Sequence, residues 1–331
     1  MSEINYQEAY EREHEKCADL ADKIVVLESE KEDLQFKLDR IKKNKFWKAT
    51  GPARSLIHFA QRQRDRLSHC GGPKDILRKI RNKSRQKSLM ESYGTGSFPD
   101  AEQRKKEEET IFPYMPKISI LVPLWNNKRE FQIQMLDCVM NQTYPNWELC
   151  LADGSDAEHS YIEELCREYA AKANGRIVYK HLDHNGGISY NTNECYKLAT
   201  GDYIGLFDQD DILHPSVLYA YVKEINEQGA DYLYCDETTF KENDINKMLT
   251  MHFKPDYAPD NLRANNYICH FTVIETAFLK ELKLRSGFDG AQDYDFIFRC
   301  TEQAKEIVHI PHVLYHWRCH QGSTASNPES K

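Results

Sequence analysis

The sequence predicts an α/β fold, a mostly parallel sheet flanked by helices, with an N-terminal helical coiled-coil extension. Two observations carry the α/β part. From residue 117 onward, short apolar runs of strand type alternate with amphipathic helical stretches, the spacing of βαβ units with right-handed crossovers. The turns after those runs are rich in Gly, Asp and Asn, which end strands and open helices. The extension rests on a third. Tyr6, Tyr10, Glu13, Cys17, Leu20, Ile24, Leu27, Lys31, Leu34, Leu38 and Ile41 follow a 4-3 spacing, with the section 17–41 the most regular, as the a and d positions of a coiled coil do.

Composition bounds what such a chain can be. Its 331 residues are 40% hydrophobic, enough for one large domain plus an appendage. The apolar run ISILVPLW (118–125) is far below the roughly 18–20 residues of a membrane span. The N-terminus MSEINYQEAYERE lacks the basic-then-apolar order of a secretory signal. Ten cysteines are spread singly with no CxxC, which suits free thiols in a reducing compartment. The expectation is a cytoplasmic protein. Its net charge of −8 conceals an asymmetry: residues 40–90 hold 16 Lys/Arg against 2 Asp, so the remainder is strongly acidic.

The elements follow in order. Residues 1–45 are expected to form the coiled coil, which would oligomerise the chain or dock on a partner helix; the alternative is a single helix packed on its own domain. Residues 46–90 are basic, with Leu56, Ile57, Ala60 and Ile76, Leu77, Ile80 at partly helical spacing. Such helices can lie on an anionic membrane surface. Nucleic-acid binding by charge alone lacks any supporting signature, and a solvated basic linker is the plainest alternative. Residues 91–116 are polar and nonperiodic and read as a linker. The globular domain spans 117–326. Its strands are expected at 117–124, ended by Pro123, then 147–152, 176–182, 203–207 and 231–237. Helices are expected at 129–142, 159–173, 191–199 and 215–228.

GDYIGLFDQDDILHP (201–215) says most about chemistry. The strand YIGLF runs into Asp208, Asp210 and Asp211, and open α/β sheets bind ligands at that carboxyl edge. Asp208 and Asp210, two apart, point the same way in extended chain and repel unless a cation intervenes. The bland reading is a solvated acidic turn. The other strand ends also suit a nucleotide: VPLWN (122–126), ADGSD (152–156) with Asp153, and NGGIS (185–189), whose glycines open a helix. Each alone is ordinary turn chemistry; four in succession are not.

ISILVPLWN, NQTYPNWEL, LADGSD, NGGISYNTN, ATGDYIGLFDQDD, GAQDYDFIFR and LYHWRCHQGSTA, in this order, resemble a family 2 glycosyltransferase of the GT-A fold, in the style of bacterial enzymes of cell-surface polysaccharide and of rhamnosyltransferase-like ones. The resemblance covers about 117–326. It implies an inverting, metal-dependent transfer from a nucleotide sugar (a UDP- or dTDP-sugar) to a hydroxyl of a lipid-linked glycan acceptor, with Mn²⁺ or Mg²⁺ as cofactor. Asp153 would contact the base, in a pocket shaped by Pro123 and Trp125; Asn185 and Gly186 would approach the donor, and Asp208 the ribose. Asp210 would bind the metal, with Asp211 as its neighbour in the metal set and His320 near the diphosphate or metal. Asp293 matches the catalytic base, with Asp295 as the neighbouring alternative. Arg318, and also His316, are candidates near the donor. Asp236, Glu237 and His270 line the expected acceptor side.

Three positions depart from the family pattern: Ala152 where many members carry a first Asp, Gln292 where many carry Glu, and Gln209 at the variable position of DxD. The alternative function is a catalytically silent GT-A-like scaffold of a glycan assembly complex, working through its coiled coil. Nucleotidyl transfer ranks low because no basic Gly-rich loop follows the first strand. The expected setting is cytoplasmic, peripheral on the inner face of the cell membrane, with no nucleic-acid partner.

Overall fold

A computed structural model of the chain describes residues 93–281 and 283–320. The expected coiled coil, the basic segment and the residues beyond 320 lie outside the described residues.

The first half is built as the sequence pattern dictates. Strand β1 (Ile118–Leu124) is buried along its whole length, the mark of a strand covered on both faces. It runs one residue past Pro123. Parallel to it lies β2 (Trp147–Asp153), and β3 (Ile177–His181) lies beside β2. On the other side β4 (Tyr203–Leu206) pairs with β1, also parallel. The chain thus steps outward from β1 to β3 and then returns to β1's opposite flank. That reversal opens a crevice at the carboxyl ends of β1 and β4, the switch point where α/β sheets take their ligands.

Successive residues of β1 point to opposite faces, and each face has its own core. Ile120 and Val122 pack with helices α2 (Arg129–Met140), α3 (Tyr161–Lys172) and α5 (Val217–Gln228). Leu121 belongs to the other core, with α4 (Ile188–Tyr196) and α8 (Gln292–Thr301). In α2 the buried residues Phe131, Gln132, Met135, Leu136 and Val139 recur at helical spacing, giving one inward stripe.

The second half differs from a mostly parallel sheet. Strand β8 (Thr272–Glu275) runs antiparallel to β4, and β6 (Tyr232–Lys241) antiparallel to β8. The long β9 (Ile307–Cys319) is parallel to β6, whereas the two-residue β5 (Ile212–Leu213) is antiparallel to β9. Strand β7 (Asp244–His252) forms a hairpin edge on β6. The spatial order is β3-β2-β1-β4-β8-β6-β9-β5. The sheet is therefore mixed. Short helices α6 (Pro259–Ala264) and α7 (Thr276–Glu281) flank β8 in the chain.

The segment expected as a linker also holds structure. Helix α1 (Ala101–Glu109) is capped by Asp100, whose carboxylate accepts from Gln103 N at 2.8 Å. It is tied down by polar contacts: Thr143 Oγ1 donates to buried Glu107 at 2.8 Å, and Arg104 donates to the Asn141 carbonyl at 2.8 Å. Such a helix carries no apolar stripe for a sequence pattern to find.

Gly205, in β4, has no room for a side chain, since an added Cβ would lie 2.4 Å from the Phe271 ring. Gly205→Ala is expected to lower unfolding free energy by about 1–3 kcal/mol in urea denaturation; a change below about 0.5 kcal/mol would show that the ring moves aside freely.

Candidate functional site

The ends of β1, β2 and β4 meet the DQDD turn at the crevice. Asp153 closes β2 and is buried; Ser155 N donates to its Oδ1 at 2.9 Å and the Tyr179 hydroxyl to Oδ2 at 2.7 Å. His181 Nδ1 stands 3.9 Å from the same Oδ2. The next residue, Gly154, packs on the NGG turn so closely that a Cβ would sit 3.0 Å from Asn185 Cα. Asn185 Oδ1 accepts from Gly187 N (3.1 Å) and from Asn191 Nδ2 (2.9 Å), while Gly186 N donates to Asn191 Oδ1 at 3.2 Å. Gly187, at φ +89°, is the N-cap of α4, a conformation that suits glycine. Asn185 and Gly186 are thus brought beside Asp153 in one bonded turn.

Pro123 is buried in β1 and Trp125 is 53% exposed just beyond it. Gln209 clasps the Trp125 backbone through two bonds, accepting from its N–H at 2.9 Å and donating to its carbonyl at 3.0 Å. Asn127 Nδ2 donates to the Gln209 carbonyl at 2.7 Å. The variable residue of DQDD therefore locks the acidic turn to the end of β1.

The three carboxylates of that turn have separate surroundings. Asp208 is half-exposed, and His270 Nε2 lies 3.4 Å from its Oδ2. Asp210 Oδ2 lies 2.9 Å from His320 Nε2. Asp211 is fully buried: Tyr315 OH donates to Oδ2 at 2.5 Å and Arg318 N to Oδ1 at 2.6 Å. Burial, with Asp210 and Asp208 close by, pushes its carboxyl well above the usual range. Asp211 is thus turned into the core, away from the opening expected of a metal ligand.

Arg318 is also turned inward. Its Nε donates to the Asp210 carbonyl and Nη1 to the Glu242 carbonyl, and the guanidinium lies between the rings of Phe131 (4.2 Å) and Phe240 (4.6 Å). It braces the backbone of Asp210 from behind and does not face a donor. His316 lies elsewhere as well. It stacks on His214 (15° between rings, centroids 6.4 Å apart) and its Nε2 reaches the Tyr93 carbonyl at 3.2 Å, while His214 Nε2 reaches the Ser97 carbonyl at 3.1 Å. Burial and the neighbouring His214 push it down to about 4. These rings fasten segment 93–98.

Asp293 stands in the first turn of α8, where the helix dipole favours acid; Asn266 Nδ2 donates to its Oδ2 at 2.8 Å. Asp295 is separate, bonded by Arg285 Nε at 3.0 Å and Arg299 Nη2 at 2.7 Å. Of the three residues expected on the acceptor side, two are buried. Asp236 accepts from Lys254 N at 2.8 Å and faces His309 Nε2 at 2.9 Å. Glu237 accepts from Lys254 Nζ at 3.1 Å and from His270 N at 2.7 Å. His270 is stacked on Tyr315, centroids 4.9 Å apart. Burial opposes charge on its ring, but Cys269, Asp208 and Glu237 outweigh this and raise its pKa well above the ordinary value.

Lys254, Asn266, Tyr179, Tyr315 and Gln209 were missed as working residues. The first four lie outside the acidic and glycine-rich motifs, and Gln209 stands at the variable position of DQDD; only their partners elsewhere in the chain give them a role. The one available signal was the lysine in HFKPD (252–256), an isolated cation beside aromatic and turn residues.

Among the described residues no group of three or more His, Cys, Asp or Glu is arranged to hold a metal ion. Asp210 and His320 nevertheless supply an oxygen and an imidazole nitrogen 2.9 Å apart. Hard divalent ions that act on phosphates take one or two protein ligands and complete their shell from substrate and water. The donor set therefore fits Mn²⁺ or Mg²⁺ shared with a diphosphate.

The glycosyl transferase family 2 model matches residues 119–285, half of the chain. The chain belongs to that family, and its mixed sheet flanked by helices fits the GT-A fold. Among curated relatives, a Sinorhizobium fredii protein, y4gI, is 38% identical over 65% of this chain and 24% of its own length. The O-antigen biosynthesis protein RfbC of Myxococcus xanthus is 34% identical over 64% of this chain and 16% of its own. The putative colanic acid biosynthesis glycosyl transferase WcaA of Escherichia coli is 29% identical, over 60% and 74%. This chain thus spans about a quarter or less of the first two. The fold matches S. aureus TarS 1–349 in complex with UDP-GlcNAc at TM-score 0.53, 20% identity, covering 64% of this chain and 61% of that one.

Glu237 allows a test of the buried network. Burial alone would raise its pKa, yet Lys254 and His270 hold it down at about 2. A carboxylate depressed in the folded state contributes stability above its unfolded value, about 4.3, and loses it as pH falls toward the folded value. Glu237→Gln is expected to be less stable than wild type by about 3 kcal/mol at pH 7, with the difference shrinking below about pH 4.5. Denaturation at a series of pH values measures this; a gap unchanged down to pH 3 would contradict the ion pair.

Proposed function

We propose that the chain is a metal-dependent, inverting glycosyltransferase that moves a sugar from a UDP- or dTDP-sugar to a hydroxyl of a lipid-linked glycan during bacterial surface polysaccharide synthesis. The observation that carries the reading is the meeting of Asp210 and His320, 110 positions apart in sequence, at 2.9 Å beside the switch-point crevice. Family membership and relatives named for O-antigen and colanic acid biosynthesis support the substrate class.

In this reading Asp153 accepts from the nucleobase in a pocket bordered by Pro123 and Trp125. Asn185 and Gly186 contact the donor, and Asp208 holds the ribose hydroxyls. Asp210 and His320 would hold Mn²⁺ or Mg²⁺, which supplies Lewis-acid stabilisation of the diphosphate. Asp293 takes the proton of the acceptor hydroxyl as its oxygen attacks the anomeric carbon. The bond from that carbon to the diphosphate oxygen breaks, and the nucleoside diphosphate leaves with the electron pair. One base and attack from the opposite side give inversion. Residues 1–45 would oligomerise the protein. Residues 46–90 would hold it at the anionic inner face of the membrane, leaving 117–326 as the transferase domain. Among the described residues no helix is long and apolar enough to cross a membrane.

The test is binding and turnover with a panel of nucleotide sugars, with and without Mn²⁺ or Mg²⁺. Asp293→Asn is expected to keep donor affinity within about 3-fold while turnover falls roughly 10²–10⁴-fold. Failure of every donor to bind or react with either metal would reject the proposal. Within the turn, Asp210→Ala should abolish the metal-dependent part of nucleotide binding while Asp211→Asn retains it, at reduced stability, by calorimetry. Equal loss of metal dependence in both would return Asp211 to the metal set.

A further inference from the structure

One segment touches both reactive ends of the site. Residues 265–271 join α6 to β8, and from this loop Asn266 Nδ2 donates to Asp293 Oδ2 at 2.8 Å while His270 Nε2 faces Asp208 Oδ2 at 3.4 Å. The loop is anchored from below by a buried cation. Lys254 Nζ donates to the Ile268 carbonyl at 3.0 Å, to the His270 carbonyl at 2.5 Å and to Glu237 Oε2 at 3.1 Å. The same Glu237 oxygen accepts from the His270 backbone N–H at 2.7 Å and lies 3.6 Å from its Nδ1. The side chains of Lys254 and Glu237 are each only 3% exposed.

We infer that the loop 265–271 is a single positioning element, in which His270 sets Asp208 for the donor and Asn266 sets Asp293 for the acceptor hydroxyl, both held in register by the buried Lys254–Glu237 pair. It rests on the reading of Asp208 as a donor contact and of Asp293 as the base. His270 thereby serves the donor side in place of the acceptor contact expected of it. A buried ion pair is a weak device for stability, because apolar packing serves as well. It is a strong device for fixing backbone, because a low dielectric makes each of its hydrogen bonds directional and hard to give up. Three acceptors around one ammonium use all its donors, so the loop has one arrangement that satisfies Lys254.

The experiment uses the full chain, with UDP, dTDP and GDP plus Mn²⁺ as binding probes and nucleoside diphosphate release as the turnover readout. His270→Phe keeps the stack on Tyr315 and removes both ring nitrogens. It is expected to weaken binding of the nucleotide that wild type prefers by roughly ten-fold, with turnover at saturation changed less. Asn266→Ala should do the reverse: binding unchanged, turnover down roughly ten-fold, and partial rescue by Asn266→Ser. Combining His270→Phe with Asp208→Asn should cost no more than Asp208→Asn alone, because the two act through one contact. Additive losses, or a His270→Phe effect confined to acceptor KM, would overturn the inference. If Asp208→Asn itself leaves nucleotide binding unchanged, the donor reading fails instead. Lys254→Met should lower binding and turnover together; where it fails to fold, the two loop variants decide the matter by themselves.

Discussion

The site depends on a short antiparallel pairing late in the sheet. β5 is two residues long, and its register sets Ile212 opposite His316 and Leu213 opposite Tyr315. Two backbone positions could not hold a strand in water. What holds them is Asp211, immediately before β5, which receives the Tyr315 hydroxyl and the Arg318 backbone N–H. The acidic turn after β4 is thereby fastened to a strand about a hundred residues later. With that register set, Arg318 backs the Asp210 carbonyl and His320 reaches the Asp210 carboxylate. A one-residue slip of β9 would turn every one of these side chains to the opposite face.

Long β9 can do this because it pairs in parallel with β6 from Tyr232↔Ile307 to Lys241↔Cys319, with the register shifting at Asp236 and Glu237. The same β6 carries Asp236 and Glu237 inward to Lys254 and His309. The half of the molecule that departs from a simple βαβ pattern is therefore the half that positions His320, the loop 265–271 and Asp293. The parallel half contributes the strand ends that carry Asp153, the NGG turn and DQDD.

This division explains what could be read in the sequence. The parallel strands were legible because each is a short apolar run between turn residues, and their ends lie within one motif each: LADGSD, NGGIS and DQDD. The mixed half was not. ETTFKENDINKMLTMHF (237–253) alternates too weakly to declare the β6–β7 hairpin, and β9 contains Pro311, His309, His312 and His316 among its apolar residues. Charge type was likewise legible while direction was not. Asp211, Arg318 and His316 were expected at the metal or the donor, and all three are aimed into the core; a sequence cannot tell a ligand-facing polar group from one that finds its partners inside. Helix α1 escaped notice because its contacts to Thr143 and Asn141 are polar.

The three carboxylates of DQDD illustrate how one turn assigns three duties to one residue type. Side by side in water-exposed chain they would repel one another, and a bound cation is one remedy. The protein applies a different remedy at each position. Asp211 is withdrawn into the core, where burial favours its neutral form and two donors satisfy its oxygens. Asp208 is set against the His270 ring, whose charge is favoured by Asp208 and Glu237. Asp210 stays partly exposed, its Oδ2 2.9 Å from His320 Nε2. Asp208 and Asp210 thus each face an imidazole nitrogen, whereas the oxygens of Asp211 are closed off by two donors of the core. What stands behind each acid therefore separates the buried Asp211 from the two carboxylates that remain partly exposed, the pair on which the proposed metal and ribose roles rest.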